Sequence, residues 1–229
     1  MKAIILAAGM GTRLRPLTED RPKSLVEVSG EAMTERQIRF LKEKGIHDIT
    51  LVVGYKKEYF DYLVEKYGVK TVFNDKFDIY NNIYSMYLVR DILPESYVLE
   101  GDVYMNENII DENVNRSTYF SSYKDNFQNE WKLVINDNHK LERIDICDGH
   151  GYIMCGVSYW AENEGKYIKN ELDKLESIKD FENMYWDDIV RNNVNQLDIH
   201  IKALNENDLM EIDSISDLEK VEAFLEKNK

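Results

Sequence analysis

The apolar positions of the first hundred residues alternate between short runs and helical spacing. Lys2–Leu6 is a continuous apolar run, read as a buried strand. Thr34–Lys44 carries Ile38 and Leu41 on one helical face and stops at Gly45. Ile49–Val53 reads as a second strand, Lys56–Lys66 as an amphipathic helix and Val69–Phe73 as a third strand. A helix over Tyr80–Asp91 follows, then a fourth strand from Tyr97 that ends at Glu100-Gly101-Asp102. Strands alternating with helices of this length predict right-handed crossovers and a largely parallel sheet. From Ser117 the pattern changes: Ser117–Tyr123, Trp131–Ile135, Leu141–Ile146 and Tyr152–Trp160 read as strands without helices between them. Helices are expected at Gly165–Lys174, Tyr185–Asn193 and Ile215–Lys227. The fold class is therefore α/β: a mostly parallel, Rossmann-like mixed sheet flanked by helices, with antiparallel strands from the second half.

Composition narrows the classes. A chain of 229 residues suits one domain over 1–229, and the change of pattern at Ser117 divides it into two halves, 1–116 and 117–229. A hydrophobic fraction of 43% is ample for a core. No apolar run is long enough for a membrane span, and the N-terminal run is too short for a signal peptide. Two cysteines, Cys147 and Cys155, make no disulfide framework, so a reducing cytoplasm is the expected location. The net charge of -14 argues against nucleic-acid or membrane partners. Against that background, Arg13, Arg15, Arg21 and Lys23 form a basic island answered only by Glu19 and Asp20.

The island adjoins a glycine loop. Leu6-Ala7-Ala8-Gly9-Met10-Gly11-Thr12-Arg13 follows the first strand directly, and glycines there let backbone amides approach phosphate oxygens. The Rossmann fingerprint fails where Leu14 replaces its third glycine, and the P-loop fails for want of a Gly-Lys-Ser/Thr triplet. What remains is Gly-x-Gly-Thr-Arg and then Arg21-Pro22-Lys23, with Pro22 stiffening the approach to Lys23. This ordered run resembles the signature of the sugar-phosphate nucleotidyltransferase superfamily. The resemblance implies that Leu6, Ala7, Ala8, Gly9, Gly11 and Thr12 wrap base and triphosphate. It implies that Arg13 binds the β- and γ-phosphates and that Lys23 meets the α-phosphate and the incoming substrate. Arg13, Lys23 and Asp102 are thus the expected catalytic residues.

Nucleotidyl transfer calls for a divalent ion, here Mg²⁺, held by carboxylates near the strand ends. Asp102 closes the fourth strand and matches the superfamily's metal-binding Asp; Glu100 departs from its usual Asp and is not taken as a ligand. Glu211 and Asp213, at i and i+2 before the last helix, share a face and complete the expected metal set. By spacing alone the same pair could cap that helix.

Later segments resemble a narrower group, the bacterial CTP:phosphocholine cytidylyltransferases: Phe73-Asn74-Asp75-Lys76, Tyr80–Tyr87, Ser117–Ser121, Asn129-Glu130-Trp131, Gly156-Val157-Ser158, Tyr185–Asp188 and Glu211–Ser214. The resemblance places Asn82 and Ser85 near the cytosine, and Trp131, Tyr185 and Asp187 around the choline head, with Trp186 grouped beside them. Aromatic faces with a nearby carboxylate suit a quaternary ammonium; from residue type alone Trp131 and Trp186 read first as core aromatics and Asp187 and Asp188 as a helix cap. Lys132 and Glu31-Ala32-Met33 depart from the pattern. The expected partners are CTP and a small phosphorylated or phosphonate amine, phosphocholine first and 2-aminoethylphosphonate second. A sugar 1-phosphate with UTP or dTTP is a further alternative. His47, His139, His150 and His200 sit in no general-base motif.

Overall fold

The computed structural model describes residues 1–178 and 181–228. Its central strand, β1 (Lys2–Ala7), shows how the layers arise. Ala3, Ile5 and Ala7 face one core and Ile4 and Leu6 the other, because successive side chains of a strand point to opposite faces. Both faces are covered, so β1 has no polar alternation after Lys2. The first core is closed by α1 (Met33–Glu43) and α2 (Asp61–Tyr67), through Ile38, Leu41 and Leu63. The second is closed by α3 (Asn82–Val89), α4 (Glu162–Leu172) and α5 (Asp187–Asn193), through Ile83, Met86, Ile168 and Val190.

Around β1 the sheet is built from β4 (Asp48–Val53), β5 (Lys70–Phe73), β6 (Ser96–Glu100), β8 (Thr118–Ile135), β9 (Leu141–Trp160) and β10 (His200–Leu204). The seven strands run β10-β8-β9-β6-β1-β4-β5. β9 alone opposes the others: its pairings with β6 and β8 are antiparallel and the remaining ones parallel. Two small antiparallel ribbons complete the strands: β2 (Glu27–Val28) with β3 (Glu31–Ala32), and β7 (Val103–Met105) with β11 (Leu209–Glu211). The helix α6 (Ile215–Lys227) closes a third cluster, in which Leu14, Val28, Met33, Tyr104, Ile212 and Val221 pack together. Leu14, the residue that breaks the Rossmann fingerprint, is fully buried there and pins the glycine loop to β7 and α6.

The expected mixed, mostly parallel sheet is what forms, with differences in detail. The four short strands expected after Ser117 are two long ones, β8 and β9. Their ladder slips register several times between Phe120 and Ile135, so bulges absorb the polar stretch Lys124–Asn126 that reads as a break. Bending at those bulges folds the hairpin back, and Lys132 pairs with both Asp145 and Ile153. The hairpin tip then docks where Leu141 N donates to Ile199 O at 2.8 Å. β10 is an edge strand that the helix-and-strand pattern missed. No helix among the described residues is long and apolar enough to cross a membrane.

Candidate active site

The loop after β1 and the segment after β6 come side by side because those strands are neighbours in parallel register, Leu6 opposite Glu100. Gly101 N donates to Leu6 O at 2.9 Å and ties the two turns together. Within the loop the two glycines answer different demands. Gly11 has φ +59°, and a β-carbon there would stand 2.5 Å from Cβ of Lys23. It must be glycine for the lysine to pack. A β-carbon on Gly9 would meet nothing within 4 Å, and no positive φ requires glycine at that position. Gly9 lines the cleft described below. An unneeded glycine on a cleft wall keeps open a space that protein atoms do not use, as close approach of a phosphate requires.

Lys23 opens the short 3₁₀ turn Lys23–Leu25 behind Pro22. Its Nζ lies 2.6 Å from Asp102 Oδ2 and 2.5 Å from Asp213 Oδ1. Burial works to lower its pKa, but the charges and hydrogen bonds of Asp102 and Asp213 outweigh it and hold the ammonium above the ordinary lysine range. Arg13, in the 3₁₀ turn Thr12–Leu14, reaches Asp213 Oδ1 at 2.9 Å while its side chain stays 72% exposed.

Asp102, Glu211 and Asp213 each offer a carboxylate oxygen, all within 4.8 Å of one another. Desolvation first, then the charges of Asp102 and Asp213, push the Glu211 carboxyl up. Crowded carboxylates of this kind fit a hard divalent cation, and the donor set is all oxygen. Capping does not account for the pair. Ser214 caps α6 in a capping box with Asp217, whose Oδ2 accepts from Ser214 N at 3.0 Å. The strand β11 itself ends at Glu211; Ile212 turns into the core with its N–H on Asp102 O at 3.0 Å. That inward residue leaves Glu211 and Asp213 together on the other side.

A cleft of about 260 Å³ runs from the glycine loop past Asp102 of this cluster. Ala8, Gly9, Asn82, Ser85, Asp102 and Tyr185 are among its walls. A smaller recess beside it is lined by Leu6, Ala7, Gly9, Lys23 and Asp102. Thr12 is exposed on the loop's outer turn. Ser85 is buried and its Oγ accepts from Asn74 Nδ2 at 2.9 Å. At the far end, Trp131 of β8 and Tyr185 meet edge to face, centroids 6.0 Å apart at 83°. Arg191 lies over Trp131 at 5.9 Å, and Tyr185 is exposed.

Trp186 does not join them. Only 2% exposed, it packs edge-on against Trp160, and its indole N–H donates to Glu100 Oε1 at 3.2 Å. The grouping of Trp186 with the acceptor wall is therefore corrected: as the residue after Tyr185, it turns its large ring inward to the core. Asp187 is also buried and takes a 2.8 Å hydrogen bond from Tyr119 Oη. Burial raises its pKa to about 7, with the Tyr119 bond pulling the other way. Lys132 packs its stem against Gly151, where a β-carbon would sit 2.9 Å from its Cε. Sequence patterns assigned no role to Tyr119, Asn74, Arg191 or Glu100. Tyr119 and Asn74 lie in segments that carry the resemblance but were given no task there, Arg191 lies in none, and Glu100 stood out only as a departure.

The nucleotidyl transferase family signature matches residues 2–141. The choline-phosphate cytidylyltransferase of Streptococcus pneumoniae is 49% identical, with 98% of each chain covered. The 2-aminoethylphosphonate cytidylyltransferase of Lancefieldella rimae is 35% identical over 94% of this chain and 89% of its own. The solved CTP:phosphocholine cytidylyltransferase of S. pneumoniae superposes with a TM-score of 0.96 at 49% identity, again over 98% of each chain. With this signature on its glycine loop and these relatives along its whole length, the chain belongs to the nucleotidyl transferase family and is a nucleotidyltransferase of the cytidylyltransferase kind.

Proposed function

We propose that this enzyme transfers CMP from CTP to phosphocholine, giving CDP-choline and pyrophosphate. One observation carries the reading: a single cleft joins the glycine loop, the carboxylate cluster at Asp102 and the aromatic residue Tyr185. A nucleotide on the loop and a cationic acceptor against Trp131 and Tyr185 then meet at Lys23 and Asp102. The 49% identity to the pneumococcal choline-phosphate cytidylyltransferase supports the choice of both substrates.

In the proposed reaction an oxygen of the acceptor's phosphate attacks the α-phosphorus of CTP in line. The new P–O bond forms as the bond to the bridging oxygen breaks, and that electron pair leaves with pyrophosphate. The acceptor is already anionic, so no covalent enzyme intermediate and no general base are needed. Gly9 and Gly11 let the loop amides approach the phosphates. Lys23, charged throughout, donates to the α-phosphoryl oxygens. Arg13 is exposed enough to swing from Asp213 onto the β- and γ-phosphates. Asn82 and Ser85 line the base end of the cleft. Asp102, Glu211 and Asp213 would hold Mg²⁺, which neutralises charge at the reacting phosphate. Catalysis rests on positioning and preorganised charge. At the acceptor end, Trp131 and Tyr185 supply aromatic faces for the trimethylammonium and Asp187 its counter-charge.

The test is pyrophosphate release from CTP and Mg²⁺ with phosphocholine, phosphoethanolamine, 2-aminoethylphosphonate and glucose 1-phosphate in parallel. Phosphocholine should give the highest kcat/KM. A higher value with 2-aminoethylphosphonate would move the acceptor to a primary amine while keeping CMP transfer. Turnover confined to glucose 1-phosphate would overturn the proposal.

A further inference from the structure

Glu100 has no part in the chemistry above, yet it lies on the cleft wall and takes two hydrogen bonds on one oxygen. Its Oε1 accepts from Asn82 Nδ2 at 3.1 Å and from Trp186 Nε1 at 3.2 Å. Asn82 is held at its other end as well: Trp186 N donates to Asn82 Oδ1 at 2.9 Å. A backbone N–H can only donate, so Oδ1 must face Trp186; the indole N–H can only donate too, so Oε1 of Glu100 is an acceptor already. Both partners therefore demand the same orientation of the Asn82 amide, which removes the usual ambiguity between its oxygen and nitrogen. The amide's oxygen is turned onto Trp186 N, one N–H is given to Glu100, and the second N–H remains on a residue that lines the cleft.

We infer that Glu100 is a positioning residue for nucleotide selection: together with Trp186 N it holds the Asn82 amide so that the group presented to the base is a free N–H, a donor. This inference rests on CTP being the donor. Cytosine offers an acceptor at ring N3, whereas uracil carries an N–H there. A locked donor satisfies cytosine and faces uracil with a donor opposite a donor. Sites built around a fixed hydrogen bond reject the mismatched analogue far better than sites of apolar contact, because a buried polar group is left unpaired. Were the amide free to turn over, its oxygen could accept from the uracil N–H and the discrimination would vanish. Trp186 belongs to the same lock, which explains why its indole is buried beside the cleft and not on the acceptor wall.

The experiment measures kcat/KM for CTP and for UTP with phosphocholine in three variants. Glu100→Met removes the acceptor at similar volume; the CTP-to-UTP ratio should fall roughly tenfold or more. Glu100→Gln keeps an acceptor oxygen and should retain a ratio near that of the unaltered enzyme. Asn82→Ser removes the oriented amide and should lose the ratio as Glu100→Met does, which carries the test if the methionine variant does not fold. A merely structural role for Glu100 would lower both efficiencies together and leave the ratio unchanged, and that result overturns the inference, as does a preserved ratio in Asn82→Ser. If the unaltered enzyme shows no preference for CTP, it is the donor assignment that fails.

Discussion

On the proposed assignment, the donor end and the acceptor end of the cleft are built by different means. At the donor end the backbone does the positioning. Gly9, Gly11 and Asp102 sit on turns that leave two adjacent parallel strands, tied by the Gly101-to-Leu6 hydrogen bond, and Lys23 is clamped between two carboxylates. At the acceptor end side chains do it. Trp131 comes from a bent hairpin and Tyr185 from the turn before α5; they meet only through their rings, with Arg191 drawn over the indole. Tyr185 is 49% exposed, whereas the Lys23 side chain is 12% exposed. The contrast suits the two tasks: reacting phosphates need fixed charge, and an acceptor pocket can be respecified by a few ring positions without disturbing the chemistry.

That contrast can be broken from the donor end first. Asp102→Asn and Asp213→Asn, and separately removal of divalent metal with EDTA, should each lower kcat by roughly 10³-fold or more, since charge neutralisation by the ion is worth several kcal/mol. Circular dichroism should show an intact fold; normal turnover of EDTA-treated protein would refute the metal assignment. Lys23→Ala should cost roughly 10²-fold in kcat, the scale of a lost preorganised charge. Steady-state kinetics that return a near-normal kcat would remove Lys23 from the reacting centre.

At the acceptor end the effects should be smaller and fall on KM. Trp131→Ala should raise KM for phosphocholine roughly 30-fold, the loss of a desolvated cation–π contact of about 2 kcal/mol. KM for CTP should stay put; a matching rise for CTP would mean that the two ends are not separate. The smallest effect concerns pH. With a pKa of about 7, Asp187 is mostly neutral at pH 6 and mostly ionised at pH 8. KM for phosphocholine should therefore fall across that interval, by roughly tenfold at most. The stability sign is opposite. The folded state holds this proton more tightly than the unfolded one, so the Asp187 contribution to stability declines as pH rises from about 4 through about 7. Asp187→Asn should flatten both dependences in paired KM and thermal-unfolding profiles.

The same division decides how much was legible in the sequence. Donor-side residues lie in two short stretches, 6–13 and 21–23, and at one strand end, Asp102; local spacing exposes them. By spacing alone the carboxylates Glu211 and Asp213 read first as a cap for α6, and only the N-terminal motif turned them toward a metal; in the structure Ser214 and Asp217 do the capping. The sheet followed from alternating strands and helices. The joined strands β8 and β9 did not, because bulges let polar residues continue a strand that periodicity would end. β10 has the alternation of a short strand, but it acquires its partner only through a parallel pairing with β8 far away in the chain. The residues proposed for the acceptor side come from positions 119, 131, 185, 187 and 191, and apart from Tyr185 and Asp187 no spacing links them. Trp186 shows the limit most plainly: neighbouring aromatics in sequence, Tyr185 and Trp186, face the cleft and the core respectively.

The most direct test of the central claim follows CTP labelled at the α-phosphorus in a single turnover with excess enzyme, Mg²⁺ and phosphocholine. The label should appear in CDP-choline in step with pyrophosphate release, and neither product should form when phosphocholine is left out. Label appearing in free CMP, or pyrophosphate released at the same rate without an acceptor, would contradict it.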